Sequence, residues 1–249
     1  MEVSLTSKTG GGSLLFVGVA HVSSPDAKIF DYLETTVSNS KPSAIYLEVA
    51  DVSYLSKLPL DKSQVIRTRG EPSYLGFIAR QANIPVLPME PDPAQLLTRL
   101  GSRYGADDIS LAFVLRDVQI ARDRRRLYGE TLEDQARRAL QSQGELTKST
   151  GNQSSLNNVL QLTQAVNQRW HGLDWRQVPA EWFNPMLNSN DTGSIFINSL
   201  FKEEMLIRDQ HALNVLLSQV LHGERVIALA GRSHAEMQLQ TLNCLMAQR

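Results

Sequence analysis

The chain has 249 residues, enough to bury a substantial core in one domain or in one domain that carries an insertion. Its apolar content of 42% and charged content of 20% are typical of a globular protein, and the formal net charge of -1 gives no reason to expect a nucleic-acid partner. The single cysteine, Cys244, excludes an internal disulfide and a cysteine-based zinc cluster. No apolar run approaches the ~20 residues that cross a bilayer. We therefore expect no membrane segment and, unless the chain is a processed or trimmed fragment, a cytoplasmic location.

The N-terminal part of the chain predicts a strand, a helix and a second strand. Residues 1–13 contain no hydrophobic segment and end in Gly-Gly-Gly-Ser, which predicts a flexible lead-in. Residues 14–20 are apolar without period-two alternation, the pattern of a strand covered on both faces. Apolar residues at helical spacing follow in 27–37, and Ala44–Leu47 is another short apolar run. This order predicts parallel strands joined by a crossover helix.

The rest of the chain predicts an α/β fold with a mostly parallel sheet flanked by helices. Glu71 and Pro72 open a helix, and Val86 with Leu87 forms a third strand. After a charged helical region, whose arginines alternate with carboxylates, the long helix 195–221 leads into a last strand, 226–231. We expect a single α/β domain over residues 14–249, with a helical insertion at about 103–224 between the N-terminal strands and the last strand.

Two predicted strands end in the same motif. Gly18-Val-Ala-His21 closes the first strand, and Gly231-Arg-Ser-His234 closes the last one. One Gly-x-x-His alone is a very weak signal, but two copies that each follow an apolar strand are moderately specific. We therefore predict that His21 and His234 share one site.

Acidic residues follow the other strands. The second strand runs into Glu48 and the third into Glu90, while Glu71 lies at the start of a helix. Ligands of open parallel sheets bind beyond the carboxyl ends of the strands, where these side chains would meet. Two imidazoles with two or three carboxylates suit a divalent metal ion, and they suit a metal-free acid–base pair equally well.

The long helix and the two motif glycines supply further candidates. Arg208 shares a helix face with Glu204 and His211, because the three are spaced i, i+4 and i+7. Such an arginine would clamp a carboxylate or stabilise an oxyanion, and a surface ladder of salt bridges is the alternative. Gly18 and Gly231 lack side chains where a strand turns, so we expect them to let a substrate approach the backbone closely.

Several segments resemble the TraB/PrgY–Tiki–GumN family, which belongs with the erythromycin-esterase-like and ChaN-like superfamily. The resemblance covers roughly residues 14–100 and 195–249, in the family's order. It implies an α/β fold with two Gly-x-x-His motifs and acidic residues facing one cleft, and in the Tiki branch a metal-dependent protease activity with Mn or Co. The segments that carry it are Phe16–Ser23, Ile45–Glu48, Glu71, Ile84–Glu90, Ile207–Asp209 and Ala230–His234.

The motifs and the resemblance together predict a metal-dependent hydrolase that cleaves peptide or amide bonds. The divalent ion would be Mn, Co or Zn, held by His21, Glu48 and His234. Glu71 or Glu90 would complete the ligand shell or accept the proton of the attacking water, and Arg208 would steady the developing oxyanion. The expected partner is a peptide or small-molecule substrate, and the oligomeric state does not follow from the sequence.

Two alternatives stay open at this stage. In a metal-free, esterase-like hydrolase, as in the erythromycin-esterase-like relatives, His21 would act as a general base oriented by a carboxylate. In a non-catalytic binding protein, the same cleft would hold a peptide or haem, as the ChaN-like relatives make conceivable. Insensitivity to chelators would favour the first alternative, and a Soret band after haem addition the second.

Overall fold

The computed structural model describes residues 11–20, 22–232, 234, 238 and 241, together with the backbone of residues 2–6. His21 and Cys244 lie outside the described residues, as do most of residues 235–246, which the sequence predicts to form a last helix. The chain divides into two compact units, one made of Met1–Pro91 with Arg208–Arg249 and the other of Asp92–Ile207. No helix within the described ranges combines the length and the apolar content needed to cross a membrane.

The described part of the first unit is built on a five-stranded sheet with the order β1-β2-β5-β3-β4. β1 is antiparallel to β2, and all other neighbours are parallel, which confirms the predicted α/β fold with a mostly parallel sheet. The last strand therefore lies between strands from the N-terminal part of the chain. The strands are β1 (Glu2–Thr6), β2 (Ser13–Val19), β3 (Ala44–Leu47), β4 (Val86–Pro88) and β5 (Arg225–Gly231).

Both faces of this sheet are covered, which explains why its strands are apolar at consecutive positions. In β3, Ile45 and Leu47 pack with helices α1 (Lys28–Ser40) and α2 (Lys62–Gln81). The alternate residues Ala44 and Tyr46 belong to the core on the opposite face, with the second half of α7 (Ile195–Leu221). That half of α7 contributes three buried side chains to this core: Ala212, Leu216 and Val220.

The N-terminal segment differs from the predicted flexible lead-in of residues 1–13. Residues 2–6 form β1, and the buried Gly12 lies so close to helix α7 that an added Cβ would stand 2.1 Å from the carbonyl oxygen of Val220. The sequence Glu2-Val-Ser-Leu-Thr6 alternates apolar and polar residues, the pattern of an edge strand, but it contains only two apolar positions. Its pairing depends on β2, a partner that local composition does not reveal.

Helix α2 changes direction at Gly70, whose backbone has φ 66° and ψ -159°. This conformation is essentially restricted to glycine. The helix resumes at Glu71 and Pro72, as the sequence predicted, and Pro72 fits there because the first turn of a helix needs no backbone N–H. The turns before the break were not predicted. They begin at Asp61, whose side chain caps the helix by accepting a hydrogen bond from the N–H of Gln64.

The second unit is helical and has its own core. Trp175 and Trp182 are buried in it, and the rings of Trp170 and Trp182 lie 4.7 Å apart, so the aromatic cluster packs internally. The bounds of this unit, Asp92–Ile207, differ from the predicted insertion at about 103–224, because the second half of α7 belongs to the sheet core. Its helices are α3 (Pro93–Leu100), α4 (Ala106–Asp123), α5 (Gly129–Ser149), α6 (Val159–Arg169) and the first half of α7.

Asp117 on α4 leads to a prediction about stability and pH. Burial raises the pKa of its carboxyl, and the charges of Arg116 and Arg125 offset this only in part. A carboxyl whose folded-state pKa is raised costs stability progressively as pH rises from the unfolded-state pKa through the folded-state pKa, since the folded state disfavours the charge. Asp117→Asn should therefore increase the free energy of unfolding at pH 7, measured by urea denaturation, and the gain should shrink as pH falls through the folded-state pKa and vanish below the unfolded-state pKa. Asp31→Asn, on an exposed position of α1, should bring no such gain.

Candidate functional site

The carboxyl ends of the strands lie side by side in the sheet. The register pairs Val19 with Gly231, so β2 and β5 end at the same level. Leu47 of β3 pairs with Leu229, and the N–H of Glu48 continues the ladder by donating to the carbonyl of Leu229 at 3.1 Å. The two strands that lead into the Gly-x-x-His motifs are therefore direct neighbours in the sheet.

Arg208 joins two of the predicted acidic residues. Its Nε and Nη2 atoms both donate to the carboxylate of Glu90, and Nη2 also donates to Oε1 of Glu48 at 2.9 Å. The planar guanidinium suits such a two-pronged contact. Arg208 therefore lies at the carboxyl ends of the strands. Within the second unit, Glu204 pairs with Arg116 at 3.4 Å.

His234 contacts a carboxylate through each ring nitrogen. Nε2 lies 3.2 Å from Oε1 of Glu48, and Nδ1 lies 3.1 Å from Oδ1 of Asp209. Burial by itself lowers the pKa of His234, but the hydrogen bond to Asp209 and the negative charge of Glu48 outweigh burial and the charge of Arg208. The net effect is a raised pKa for the imidazole.

Glu48 is the central residue of this group, which we call the rim: Glu48, Glu90, Arg208, Asp209 and His234. Its Oε1 contacts both Arg208 and His234, and its Oε2 accepts the backbone N–H of Gly231 at 2.5 Å. Gly231 thus holds Glu48 through its backbone, while the predicted role of Gly18 and Gly231 in substrate binding stays a prediction. Three carboxylates face one arginine and one histidine, so the rim favours a cation over an anion.

Glu71, on helix α2, contacts the segment that follows β2. Its side chain is 1% exposed, and Oε1 accepts the backbone N–H of Val22 at 2.8 Å. Val22 follows His21 directly in the chain, but His21 itself lies outside the described residues. The predicted pairing of His21 with His234 therefore stays a prediction.

Sequence reasoning assigned no role to Asp209 or Gln238. Both belong to the network behind His234, because Nε2 of Gln238 donates to Oδ1 of Asp209 at 2.8 Å. The available signal for Asp209 was its position next to Arg208 in Ile207-Arg-Asp209. No comparable signal marked Gln238.

A surface cavity of about 470 Å³ lies elsewhere in the first unit. Its apolar floor is formed by Val37, Ile78 and Ile84, with Glu34 and Lys41 at its border. Lys41 and Ile84 precede β3 and β4, so this cavity lies toward the amino ends of the strands, at the edge opposite the rim. The clustered titratable groups at the rim, and not this cavity, therefore define the candidate functional site.

Within the described residues, no group of three or more His, Cys, Asp or Glu side chains is arranged to hold a metal ion. The predicted ligand set includes His21 and is therefore not covered by this observation. Comparisons with protein-family models, with curated proteins and with solved structures found no match to this chain.

Proposed function

We propose that this chain is a metal-dependent hydrolase that cleaves peptide or amide bonds at the rim. The observation that carries the proposal is the 3.2 Å separation between Nε2 of His234 and Oε1 of Glu48. Two nitrogen or oxygen ligands bound about 2.1 Å from one ion, at tetrahedral or octahedral angles, are roughly 3.0–3.4 Å apart. The two atoms therefore have the spacing of neighbouring ligands of one divalent ion.

The surroundings of His234 support the same assignment. Asp209 lies on the Nδ1 side of the ring, and histidines that bind metal through one nitrogen usually donate the other N–H to a carboxylate or carbonyl. His21 would be the third protein ligand, since it follows β2 in the sequence and β2 lies next to β5, the strand that precedes His234. When bound, Mn, Co or Zn would lower the pKa of a water molecule and polarise the scissile carbonyl.

Glu71, Glu90 and Arg208 would provide acid–base catalysis and electrostatic stabilisation. Glu71 would accept the proton of the attacking water and return it to the leaving nitrogen as the C–N bond breaks, giving a carboxylic acid and an amine. We assign this role to Glu71 because both oxygens of Glu90 already accept hydrogen bonds from Arg208. Glu90 would instead hold Arg208, whose positive charge would stabilise the oxyanion that develops on the carbonyl oxygen.

A metal-free hydrolase is a second candidate, because a proton on Nε2 of His234 would also satisfy the contact with Glu48. The raised pKa of His234 favours that proton. The paired Asp209 and His234 would then act as an acid–base unit on water, as in other histidine-dependent hydrolases.

The test measures metal content and cleavage of a mixed-sequence, fluorogenic peptide library. Protein stripped with a chelator should bind Mn, Co or Zn and regain cleavage when one of them is added. His234→Ala and Glu48→Gln should abolish this gain, whereas His222→Ala, at an exposed position outside the rim, should keep it. Cleavage that survives chelation would establish the metal-free candidate, and a protein that neither binds these ions nor cleaves the library would overturn the proposal.

A further inference from the structure

The tautomer of His234 is determined by its neighbour on helix α7. An aspartate carboxylate only accepts hydrogen bonds, so the contact between Oδ1 of Asp209 and Nδ1 of His234 requires the proton to be on Nδ1. Nε2 also faces a carboxylate oxygen, Oε1 of Glu48, so the protonated imidazole would satisfy both contacts. In the neutral imidazole we assign the single proton to Nδ1, because Oε1 of Glu48 already accepts a hydrogen bond from Arg208, and Nε2 then carries the lone pair. This tautomer is the one that presents Nε2 to a metal ion or to a substrate proton.

Asp209 is itself held in place from the other side. Nε2 of Gln238 donates to the same oxygen, Oδ1, at 2.8 Å, and the side chain of Gln238 is only 3% exposed. The Asp209 carboxylate also fixes the orientation of the Gln238 amide, because only the NH₂ group of a glutamine can donate to an acceptor. Two donors therefore converge on one oxygen of Asp209, and this fixes both the carboxylate and the imidazole ring.

We infer that Asp209 and Gln238 are positioning residues that lock His234 in its Nδ1–H tautomer, with Nε2 directed at Glu48. The tautomer is inferred from these contacts and from the charge of Arg208 on Glu48, whereas its consequence for catalysis rests on the proposed function. Residues that hold a ligating histidine in this way commonly contribute about 10–100-fold to metal affinity or activity. Neither residue touches the position between Nε2 and Glu48, so both act through His234.

The two possible substitutions of Asp209 should give different results, because one oxygen accepts both hydrogen bonds. Asp209→Asn can keep an Oδ1 acceptor in the same place and should preserve the Nδ1–H tautomer. Asp209→Ala removes the acceptor and should release His234 to the Nε2–H tautomer. Gln238→Ala leaves Asp209 with one donor fewer and should give a mixture of the two tautomers.

The experiment is a long-range ¹H–¹⁵N spectrum of protein labelled with ¹⁵N-histidine, recorded without metal at a pH where the imidazoles are neutral. His222 supplies an internal reference, since its Nδ1 lies 2.6 Å from the carbonyl oxygen of Ser218 and must also carry the proton. His234 should show the same pattern as His222 in the wild type and in Asp209→Asn, and the opposite pattern in Asp209→Ala. His234→Gln identifies the signal.

An Nε2–H pattern for His234 in the wild type, or an unchanged pattern in Asp209→Ala, would overturn the inference. Circular dichroism of each variant confirms folding, and Asp209→Asn keeps the test decisive if the alanine variant does not fold. A second readout is the affinity for Mn or Zn, which should fall about 10–100-fold in Asp209→Ala and less in Asp209→Asn. If the wild type binds neither ion, the proposed function fails while the tautomer result stands independently.

Discussion

Replacement of Arg208 by methionine is expected to lower the free energy of unfolding by about 3 kcal/mol, the low end of the range for breaking a buried ion pair. The substitution keeps much of the side-chain volume but leaves Glu48 and Glu90 without their shared cation. The low end applies because the three side chains are 15–21% exposed, so water partly solvates the remaining carboxylates. Urea denaturation at neutral pH measures the loss.

Three further variants show whether the loss comes from uncompensated charge. Arg208→Lys keeps the charge but not the two-pronged contact, and should lose roughly half as much. The double change Arg208→Met with Glu90→Gln should recover part of the stability, since one buried charge is removed with its partner. Arg103→Met breaks a matched Arg–Glu pair whose arginine is 65% exposed, and should cost at most about 1 kcal/mol. Equal losses for Arg208→Met and Arg103→Met would contradict the assigned role.

Arg208 also illustrates what the sequence could and could not predict about the site. Parallel strands end at one edge, so the apolar runs alone place Glu48, Glu90 and Gly231 near each other. The partner of Arg208 depends on how α7 lies on the sheet. From Arg208 to Leu221 the helix rises ~20 Å, and it returns directly into β5, which spans roughly 23 Å. An antiparallel helix of this length brings Arg208 to the carboxyl ends of the strands, but helix spacing alone fits a surface ladder equally well.

The same distinction applies to the fold. The bounds of β3 and α7 match their predictions, because strong apolar patterns fix them locally. The change of environment along α7 was not predicted, since an unbroken helix shows no signal where its packing changes from the helical core to the sheet. β1 was not predicted for a related reason, because it is held in the sheet by pairing with β2. The hydrogen bonds that Asp209 forms with His234 and Gln238 join residues far apart in the sequence, so no short sequence pattern predicts them.

Gly70 is the position where backbone geometry bears most directly on the site. Its φ of 66° and ψ of -159° lie in a region that side chains disfavour, and the break in α2 that it permits places Glu71 at the N–H of Val22. An added Cβ would also lie 3.1 Å from the carbonyl oxygen of Val22. The break at Gly70 and the hydrogen bond of Glu71 are adjacent, so we expect the placement of Glu71 to depend on the backbone conformation of Gly70.

Gly70→Ala is therefore expected to lower the free energy of unfolding by about 1–3 kcal/mol, the cost of a strained backbone conformation. Gly144→Ala is the matched control, because Gly144 lies inside α5 with no heavy atom within 4 Å of an added Cβ. The control should gain about 0.5–1 kcal/mol, since alanine favours the helix and restricts the unfolded chain. A loss of stability in Gly70→Ala together with a gain in Gly144→Ala, both measured by urea denaturation, would show that glycine is needed at position 70 for its backbone conformation. Faster amide exchange at Val22 in Gly70→Ala would show that Glu71 has lost its hydrogen bond, whereas a stability gain like that of the control would refute the strain.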